Sequence, residues 1–350
     1  MSERKLATIR QIAEVAAIPN ADKICAYRVD GWWVVDQVGR YNVGDMVLYL
    51  EVDSWVPHTM APFLSKGLAP KVYNNVEGNR LRTIKLRGQV SQGLLLPTDI
   101  VETVTGSPWL KFAEGVDLAY HLGIQKWEAP IPAQLAGKMK GNFPSFIPKT
   151  DQERIQNIYD KVMEKFSRKD FKVSIKLDGS SCTVYYKDGD VGVCSRNLEL
   201  IISEENKDNS FIKTATESKL AICLAKFGLN IAIQGELMGP GVQGNREGLG
   251  CHTLFIFDIY DIDSQSFYTT RAVELFYEKL RYEGLDTTLC RLVPSLGTFR
   301  PLDSLPKMLI AADGPSLHAQ VREGVVWRCI EDPNFSFKVI SNQYLLAEKD

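Results

Sequence analysis

The sequence predicts an α+β protein made of a small N-terminal β-barrel and a larger mixed domain of antiparallel strands and helices. The first 120 or so residues are short apolar, β-branched runs divided by turn residues. Residues 127–148 then carry four prolines and two glycines, which is typical of a linker or an irregular lead-in. Beyond them, strand-like and helical patterns alternate. We therefore place one domain at residues 1–125 and the second at residues 126–350.

The first domain contains two clear strand and turn signals. In "YRVDGWWVV" an Asp-Gly pair separates two apolar runs, which predicts a hairpin. In "YNVGDMVLYLEV" a Gly-Asp turn precedes a β-rich segment. Trp32 and Trp33 are adjacent and would point to opposite faces of a strand, so at most one can present its ring to a nucleic-acid base.

The second domain opens with a helix. "TDQERIQNIYDKVMEKF" has Thr150 and Glu153 at the spacing of a capping box, followed by apolar residues at helical intervals. "SSCTVYYKDGDVGVCSRN" predicts a hairpin with Asp188-Gly189 at the turn centre, which would place position 196 opposite position 181. "RAVELFYEKLRYEG" predicts a further helix.

Composition excludes several classes of protein. The 350 residues are 45% hydrophobic and 24% charged, as in soluble globular proteins, and the formal net charge of -2 excludes a polycation that binds nucleic acid by bulk charge. No apolar run reaches membrane-spanning length, so we expect a cytoplasmic, reducing location. Seven cysteines and four histidines are scattered, with Cys251-His252 as the one adjacent pair, which argues against a zinc site or a disulfide framework.

Chemistry is concentrated first in "VSIKLDGSS", where Lys176 ends a β-like run and Asp178-Gly179 follow. Lys176 is either a nucleophile or an exposed lysine before a tight turn. A lysine with a pKa near 10.4 is uncharged in roughly one molecule in a thousand near neutral pH. A nucleophilic Lys176 therefore requires a depressed pKa, through burial, nearby cations or a bound divalent metal. The overlapping "KDG" at Lys187 is explained by the hairpin turn.

Four later stretches place functional residue types in β-like surroundings. They are "IAIQGELMG" with Glu236, "LFIFDIY" with Phe257 and Asp258, "VREGVVWR" with Glu323, and "FSFKVI" with Lys338. Taken singly, each has an ordinary explanation as a strand-end charge or a core aromatic residue. Their combination and order after the Lys176 hairpin favour a functional interpretation.

The order Lys-x-Asp-Gly, Ser-Arg-Asn, Gly-Glu, Phe-Asp, Glu-Gly-Val-Val and Phe-Lys resembles the covalent nucleotidyltransferase superfamily over residues 176–338. The whole chain is similar to the ATP-dependent RNA ligase family that places an OB-like module before the transferase domain. "RLRTIKLRGQVSQGLLLP" and "FPSFIPKTDQERIQN" are also similar to that family. The resemblance implies an OB-like barrel followed by a mixed α/β, ATP-grasp-like adenylyltransferase domain.

The resemblance also implies roles for individual residues. Lys176 would take AMP from ATP, within a catalytic set completed by Asp178, Glu323 and Lys338. Nucleotide contacts would come from Arg196 and Glu236 to ribose and phosphate, from Phe257 to adenine, and from Lys149 and Arg154 to the β and γ phosphates. Asp258 and Glu323 would hold Mg²⁺ or Mn²⁺. Ile340 stands where related phage enzymes carry a second lysine in the last motif.

RNA is the expected partner. Positions 66–87 contain six basic residues and one acidic residue. Arg80, Arg82, Lys85 and Arg87 could line a groove that follows the phosphates of a nucleic acid, or they could form an ordinary solvated face. DNA ligases and capping enzymes typically carry an OB domain after the last lysine motif, but only twelve residues follow Lys338. We therefore expect a monomer that joins RNA 3'-hydroxyl and 5'-phosphate ends, at nicks in duplex RNA.

Two alternatives stay open. A non-catalytic RNA-binding protein would use the OB module beside a degenerate transferase domain. A capping-type guanylyltransferase would form lysyl-GMP in place of lysyl-AMP.

Overall fold

The computed structural model describes residues 4–128 and 138–347, which divide into two compact units. The first unit contains the described residues up to 128, residues 155–159 and the chain from Leu345. The second unit contains the described residues of 130–154 together with 160–344. The domain boundary between residues 125 and 126 stays a prediction.

The first unit is built from short, mostly antiparallel sheets. The elements are β1 (Ala7–Gln11), β2 (Glu14–Ala17), β3 (Ile24–Val29), β4 (Trp32–Gln37), β5 (Met46–Leu50), β6 (Ser54–Pro57), β7 (Lys71–Tyr73), β8 (Val76–Arg80), β9 (Thr83–Leu86), β10 (Gln89–Gln92), β11 (Leu94–Pro97), α1 (Asp99–Thr105) and β12 (Gln125–Lys126). The sheets have the strand orders β1-β5-β11, β2-β3-β4 and β12-β6-β8-β7, and β9 and β10 form a hairpin.

The predicted Asp-Gly hairpin is confirmed as β3 and β4. Val29 pairs with Trp32, and Asp30 in the turn has a φ of 46°. The two tryptophans point to opposite faces, as predicted. Trp32 is fully buried in an apolar cluster with Tyr27 and Tyr49, whereas Trp33 is half-buried. Trp32 therefore belongs to the core.

The second unit contains two sheets. The larger has the order β13-β18-β17-β16-β19-β20-β21, with β22 parallel to β20, and the smaller has the order β14-β25-β24-β15-β23. The strands are β13 (Met139–Asn142), β14 (Glu153–Arg154), β15 (Phe171–Lys176), β16 (Ser180–Lys187), β17 (Asp190–Cys194), β18 (Leu198–Leu200), β19 (Ile231–Met238), β20 (Thr253–Asp261), β21 (Ser266–Phe267), β22 (Cys290–Leu292), β23 (Ser295–Phe299), β24 (Gly324–Cys329) and β25 (Ser336–Ile340).

The remaining α-helices lie between and after these strands in the chain. They are α2 (Ile155–Phe166), α3 (Ser210–Glu217), α4 (Leu220–Phe227), α5 (Thr270–Tyr282), α6 (Leu305–Ala311) and α7 (Asn342–Ala347). Residues of α3, α4 and α5 share one buried apolar cluster with the larger sheet. Helix α5 is the predicted "RAVELFYEKLRYEG" helix, and the Thr269 hydroxyl caps its N-terminus by accepting from the amide of Ala272.

The predicted capping box at Thr150 and Glu153 is wrong, although the helix that it introduces exists. Helix α2 begins at Ile155, and its N-cap residue Arg154 makes no side-chain capping bond. Glu153 and Arg154 instead form β14, which runs parallel to β25. The Thr150 hydroxyl lies 3.0 Å from that of Ser181. Pairing with a distant strand therefore replaced the local cap.

Part of the predicted linker is regular structure. Residues 129–137 lie outside the described residues, but β13 follows directly and pairs with β18. All seven cysteines are free thiols, and six of them are buried. In the ranges 4–128 and 138–347, we find no helix that combines the length and the apolar character needed to cross a membrane.

Candidate active site

The two sheets of the second unit bring Lys176 and Glu323 together. Lys176 ends β15, Gly324 begins the neighbouring antiparallel β24, and these two residues are paired. Glu323 thus lies beside the lysine, and its Oε2 accepts from Lys176 Nζ at 2.6 Å. Both side chains are partly buried, with 23% and 16% exposed. A Cβ on Gly324 would lie within 3.0 Å of the neighbouring strand β25, which explains the glycine after Glu323.

Glu236 reaches the same place from the larger sheet. It pairs with Ser181 across β19 and β16, and its Oε1 accepts from the backbone N–H of Gly179 at 3.1 Å. A Cβ on Gly179 would lie within 3.0 Å of the Leu237 carbonyl oxygen and of the Glu236 side chain. Gly179 therefore allows the loop after Lys176 to approach β19 closely.

Negative charge exceeds positive charge around Lys176. Burial raises the pKa of Glu236 to about 8, where the attraction of Lys176 is opposed by the repulsion of Glu323 and Asp178. Burial also lowers the pKa of Lys176, but the charges of Glu323, Glu236 and Asp178 outweigh burial and leave that pKa raised. The expected depression of the lysine pKa is therefore wrong for the protein alone, because carboxylates surround the ammonium.

Asp178 is held by two residues that the sequence did not single out. The Tyr344 hydroxyl donates to Asp178 Oδ2 at 2.8 Å, and Arg246 Nη1 lies 3.5 Å from the same oxygen. The Arg246 guanidinium also lies over the Tyr344 ring, 4.5 Å from its centroid. Arg246 sits in the glycine-rich stretch "GPGVQGNREGLG" directly after β19, and that stretch was the available signal.

Lys338 and Arg154 lie on the same face of the smaller sheet as Lys176. Lys338 pairs with Val326 on β24 and with Arg154 on β14, and paired residues share a face. Arg154 is 5% exposed. Ile340 pairs with Gly324 and is buried, so an apolar side chain occupies the position of the second lysine of related phage enzymes.

The predicted hairpin after Lys176 is confirmed, with a shorter ladder of paired residues than predicted. Asp188 and Gly189 both have positive φ at the turn centre, and pairing ends at Thr183 and Cys194. Arg196 therefore lies beyond the ladder, although the register is the predicted one. Its Nη2 donates to both oxygens of Asp151, at 2.9 and 3.0 Å.

Lys149 lies close to the same turn. Its Nζ donates to the side-chain oxygen of Asn197 at 3.0 Å. Asn197 directly follows Arg196 in the chain, so its bond to Lys149 brings that lysine close to Arg196.

Phe257 and Asp258 lie at an irregularity of β20. The register with β19 shifts between positions 234 and 235, and Phe257 is the extra residue. Phe257 lines a cavity of about 120 Å³, together with Ser174 and Arg328. Asp258 accepts two bonds from Arg328, at 2.6 and 2.9 Å. Among the residues described, no set of three or more His, Cys, Asp or Glu side chains is arranged to hold a metal ion.

The four basic residues that the sequence suggests for RNA binding have different surroundings. Arg80 is an ion-pair partner of Asp53 at 2.7 Å, and its guanidinium lies 3.8 Å from the centre of the Trp127 ring. Arg82 is half-buried. Lys85 and Arg87 are exposed on the β9-β10 hairpin, whose turn holds Arg87 at a φ of 48°. The hairpin, more than β8, presents positive charge to solvent.

Comparisons with known proteins agree with this arrangement. The family described as RNA ligase matches residues 169–340, and a family described as an OB-fold domain matches residues 6–98. None of the curated proteins compared with the chain matches it.

Three solved structures of Naegleria gruberi RNA ligase are each 40% identical in sequence to the chain. A variant with ATP and Mn has a TM-score of 0.88 and matches 97% of this chain and 98% of its own. A variant with AMP and Mn and the ligase with PPi each have a TM-score of 0.89 and match 98% of both chains. The predicted fold, an N-terminal OB-fold domain followed by an α/β ligase domain of antiparallel sheets and helices, is confirmed. With this identity over nearly its whole length, the chain belongs to the RNA ligase family.

Proposed function

We propose that this RNA ligase is ATP-dependent and transfers AMP through a covalent bond to Lys176. The observation that carries the proposal is the position of Lys176 Nζ, 2.6 Å from Glu323 Oε2 and beside the half-buried Glu236. An amine fixed at the junction of two sheets, with a proton acceptor in contact, is arranged for nucleophilic attack. The solved relatives with ATP, with AMP and with PPi support this use of the site.

In the first step, the Lys176 nitrogen bonds to the α-phosphorus of ATP. The bond from that phosphorus to the bridging oxygen breaks, and pyrophosphate leaves with the electron pair. The lysine must first lose a proton, and Glu323 is the acceptor in contact with it. Lys338 and Arg154, on the same face of the sheet, would balance phosphate charge. The product is a lysyl-AMP phosphoramidate.

The carboxylates around Lys176 have the oxygen donors that Mg²⁺ or Mn²⁺ prefers, although within the described residues of the protein alone no three of them are arranged around a common point. Glu323, with Glu236 and Asp178 nearby, supplies such oxygen atoms, and burial together with repulsion from Glu323 and Asp178 raises the pKa of Glu236 to about 8. The ion would neutralise phosphate charge and weaken the hold of the carboxylates on the ammonium. Asp258, predicted as a second metal ligand, has both oxygens engaged by Arg328.

The nucleotide assignments follow the cavity and its surroundings. Phe257 lines the cavity and would stack on adenine. Glu236 and Arg196 would contact ribose and phosphate, and Lys149 would contact the outer phosphates. Arg196 has Asp151 as its partner in the protein alone and would have to exchange it for the nucleotide.

Two further steps complete ligation. An oxygen of an RNA 5'-phosphate attacks the phosphorus of lysyl-AMP, the P–N bond breaks, and the 5' end carries AMP. A 3'-hydroxyl then attacks the 5'-phosphate and AMP leaves. We propose nicked duplex RNA as the substrate, held in part by Arg82, Lys85 and Arg87 of the OB-fold domain. We further propose that the enzyme acts as a monomer in the cytoplasm, in keeping with its free cysteines.

Covalent labelling tests the first step. The protein is incubated with α-labelled ATP or GTP and Mg²⁺ or Mn²⁺, denatured, and the label is mapped by mass spectrometry. AMP should appear on Lys176 and disappear in Lys176→Ala. Lys187→Ala is the matched control, because Lys187 lies in a similar Lys-Asp-Gly sequence at a hairpin turn and should leave labelling intact. Labelling of the protein by GTP and not by ATP would indicate a guanylyltransferase and contradict the proposal.

Defined RNA ends test the later steps. Nicked duplex RNA with a 3'-hydroxyl and a 5'-phosphate should be sealed faster than the same ends on single strands. Replacing the RNA on the 3'-hydroxyl side by DNA should slow sealing. A protein that shifts nicked RNA on a gel and never acquires AMP would be the non-catalytic binding protein.

A further inference from the structure

Asp258 and Arg328 form a largely buried ion pair, and Arg328 lines the same cavity as Phe257. The guanidinium donates from Nε and Nη2 to the two oxygens of the carboxylate, at 2.6 and 2.9 Å. The side chains are 9% exposed for Arg328 and 14% for Asp258. Arg328 Nη1 also donates to the hydroxyl of Ser174, at 3.2 Å. The guanidinium plane is therefore fixed by bonds from three of its nitrogens.

The fixed guanidinium contacts the ring that is proposed to stack on the base. Arg328 Cζ lies 5.3 Å from the centroid of the Phe257 ring, within the range of a cation–π contact. Phe257, Ser174 and Arg328 all line the cavity. Because Phe257 is the extra residue of a strand irregularity, sheet pairing alone does not define its side-chain position. The arginine is the fixed cation beside this ring.

A carboxylate in this setting is poorly suited to bind a metal. Both oxygens of Asp258 are engaged, and turning them toward an ion would leave the buried Arg328 without its counter-charge. Breaking a buried pair by withdrawing one partner is strongly unfavourable. The family-based assignment of Asp258 to the metal therefore conflicts with its local chemistry.

We propose that Asp258 and Arg328 are a pair of positioning residues for the base-binding cavity, and that Asp258 is not a metal ligand. The pair holds Phe257 and Ser174 in the arrangement that receives the purine of a nucleoside triphosphate. This inference rests on the proposed function only in taking ATP as the ligand. It assigns the affinity for the base to a contact between β20 and β24.

Equilibrium binding of ATP tests the pair without requiring any chemistry. Asp258→Asn and Arg328→Lys are each introduced into the full-length Lys176→Ala protein, and Kd for ATP is measured with Mn²⁺ and with a chelator. Arg328→Lys keeps the charge and loses the planar fork. Inorganic tripolyphosphate is the base-free probe. Glu283→Gln, which removes the ion pair with Lys226 on the same unit, is the control for loss of a surface carboxylate.

The expected result is a rise of about tenfold in Kd for ATP in both variants, with or without Mn²⁺, because each variant removes the two-point bond that fixes the guanidinium beside Phe257. Binding of tripolyphosphate with Mn²⁺ should change less than twofold, and Glu283→Gln should leave both ligands unaffected. If Asp258→Asn weakens tripolyphosphate as much as ATP, or acts only when Mn²⁺ is present, Asp258 is a metal ligand and the inference is wrong.

Unchanged ATP affinity in both variants would also overturn the inference. If Asp258→Asn does not fold, the double variant Asp258→Asn/Arg328→Gln leaves no unpaired buried charge and carries the same expectation. Failure of the proposed function is a separate result, since it would appear as absence of lysyl-AMP in the unsubstituted protein whatever the ATP affinities of the variants.

Discussion

The raised pKa of the half-buried Glu236 should make the protein less stable above pH 5 than a variant with glutamine at this position. Glu236→Gln keeps the shape of the side chain and an oxygen that can accept from the N–H of Gly179. It removes the need to ionise a group whose pKa is about 8 in the folded protein and 4.5 as an isolated side chain. Glutamine carries no such cost at any pH.

The sign and size follow from proton linkage. A carboxyl with a raised pKa binds its proton more tightly in the folded state, so it costs nothing below pH 4.5. It then destabilises progressively as pH rises to about 8. Each unit in this interval costs about 1.4 kcal/mol, which gives about 3 kcal/mol at pH 7 and less than about 1 kcal/mol at pH 5.

Denaturant unfolding at pH 5, 7 and 9, followed by tryptophan fluorescence, to which the buried Trp327 of the second unit contributes, measures this difference. Glu236→Gln should be about 3 kcal/mol more stable than the unsubstituted protein at pH 7 and nearly equal to it at pH 5. The same variant should lose ligation activity. Equal stability at pH 7 would refute the reasoning, and so would a gain at pH 5 as large as at pH 7, because a pH-independent gain cannot come from a proton.

Further predictions concern the glycine loop, a buried arginine and the basic hairpin. Gly179→Ala should abolish lysyl-AMP formation in the labelling assay, because the added Cβ would lie within 3.0 Å of β19. Gly141 has open space around it, so Gly141→Ala should retain activity in the same assay. Arg322→Leu should lower the free energy of unfolding by about 2 to 4 kcal/mol in denaturant titrations, because the guanidinium donates to three carbonyl oxygens at the end of α6. The double variant Arg82→Ala/Arg87→Ala should weaken binding to nicked RNA and reduce the salt slope by about 2, with labelling nearly unchanged; loss of labelling would show a different role for the hairpin.

Features set by local chemistry could be predicted from the sequence. The turns at Asp30-Gly31 and Asp188-Gly189 were identified because their residues tolerate positive φ between apolar runs. The resemblance of the spaced motifs assigns Lys176 and Glu323 to one catalytic site, and the structure places the two side chains in contact. Alternation along strands also assigned Trp32 and Trp33 to opposite faces.

Features set by distant partners could not be predicted. Helix α2 begins late because Arg154 pairs with β25, far along the chain. The pKa of Lys176 is raised because carboxylates from separate strands converge on it, and no single segment contains that charge balance. The ion pair of Asp258 with Arg328 could not be predicted either, because the two residues lie 70 positions apart in the chain.

The Lys176–Glu323 contact spans 147 residues of chain, and this separation has a consequence for folding. Contacts between distant segments form late, since the intervening chain must be closed first. Until then Lys176 is an ordinary solvated lysine with neither its acceptor nor its neighbouring carboxylates. By the proposed mechanism, nucleotide transfer would be confined to chains that have completed the second unit, and the rate at which refolding protein acquires AMP would time the assembly of that unit.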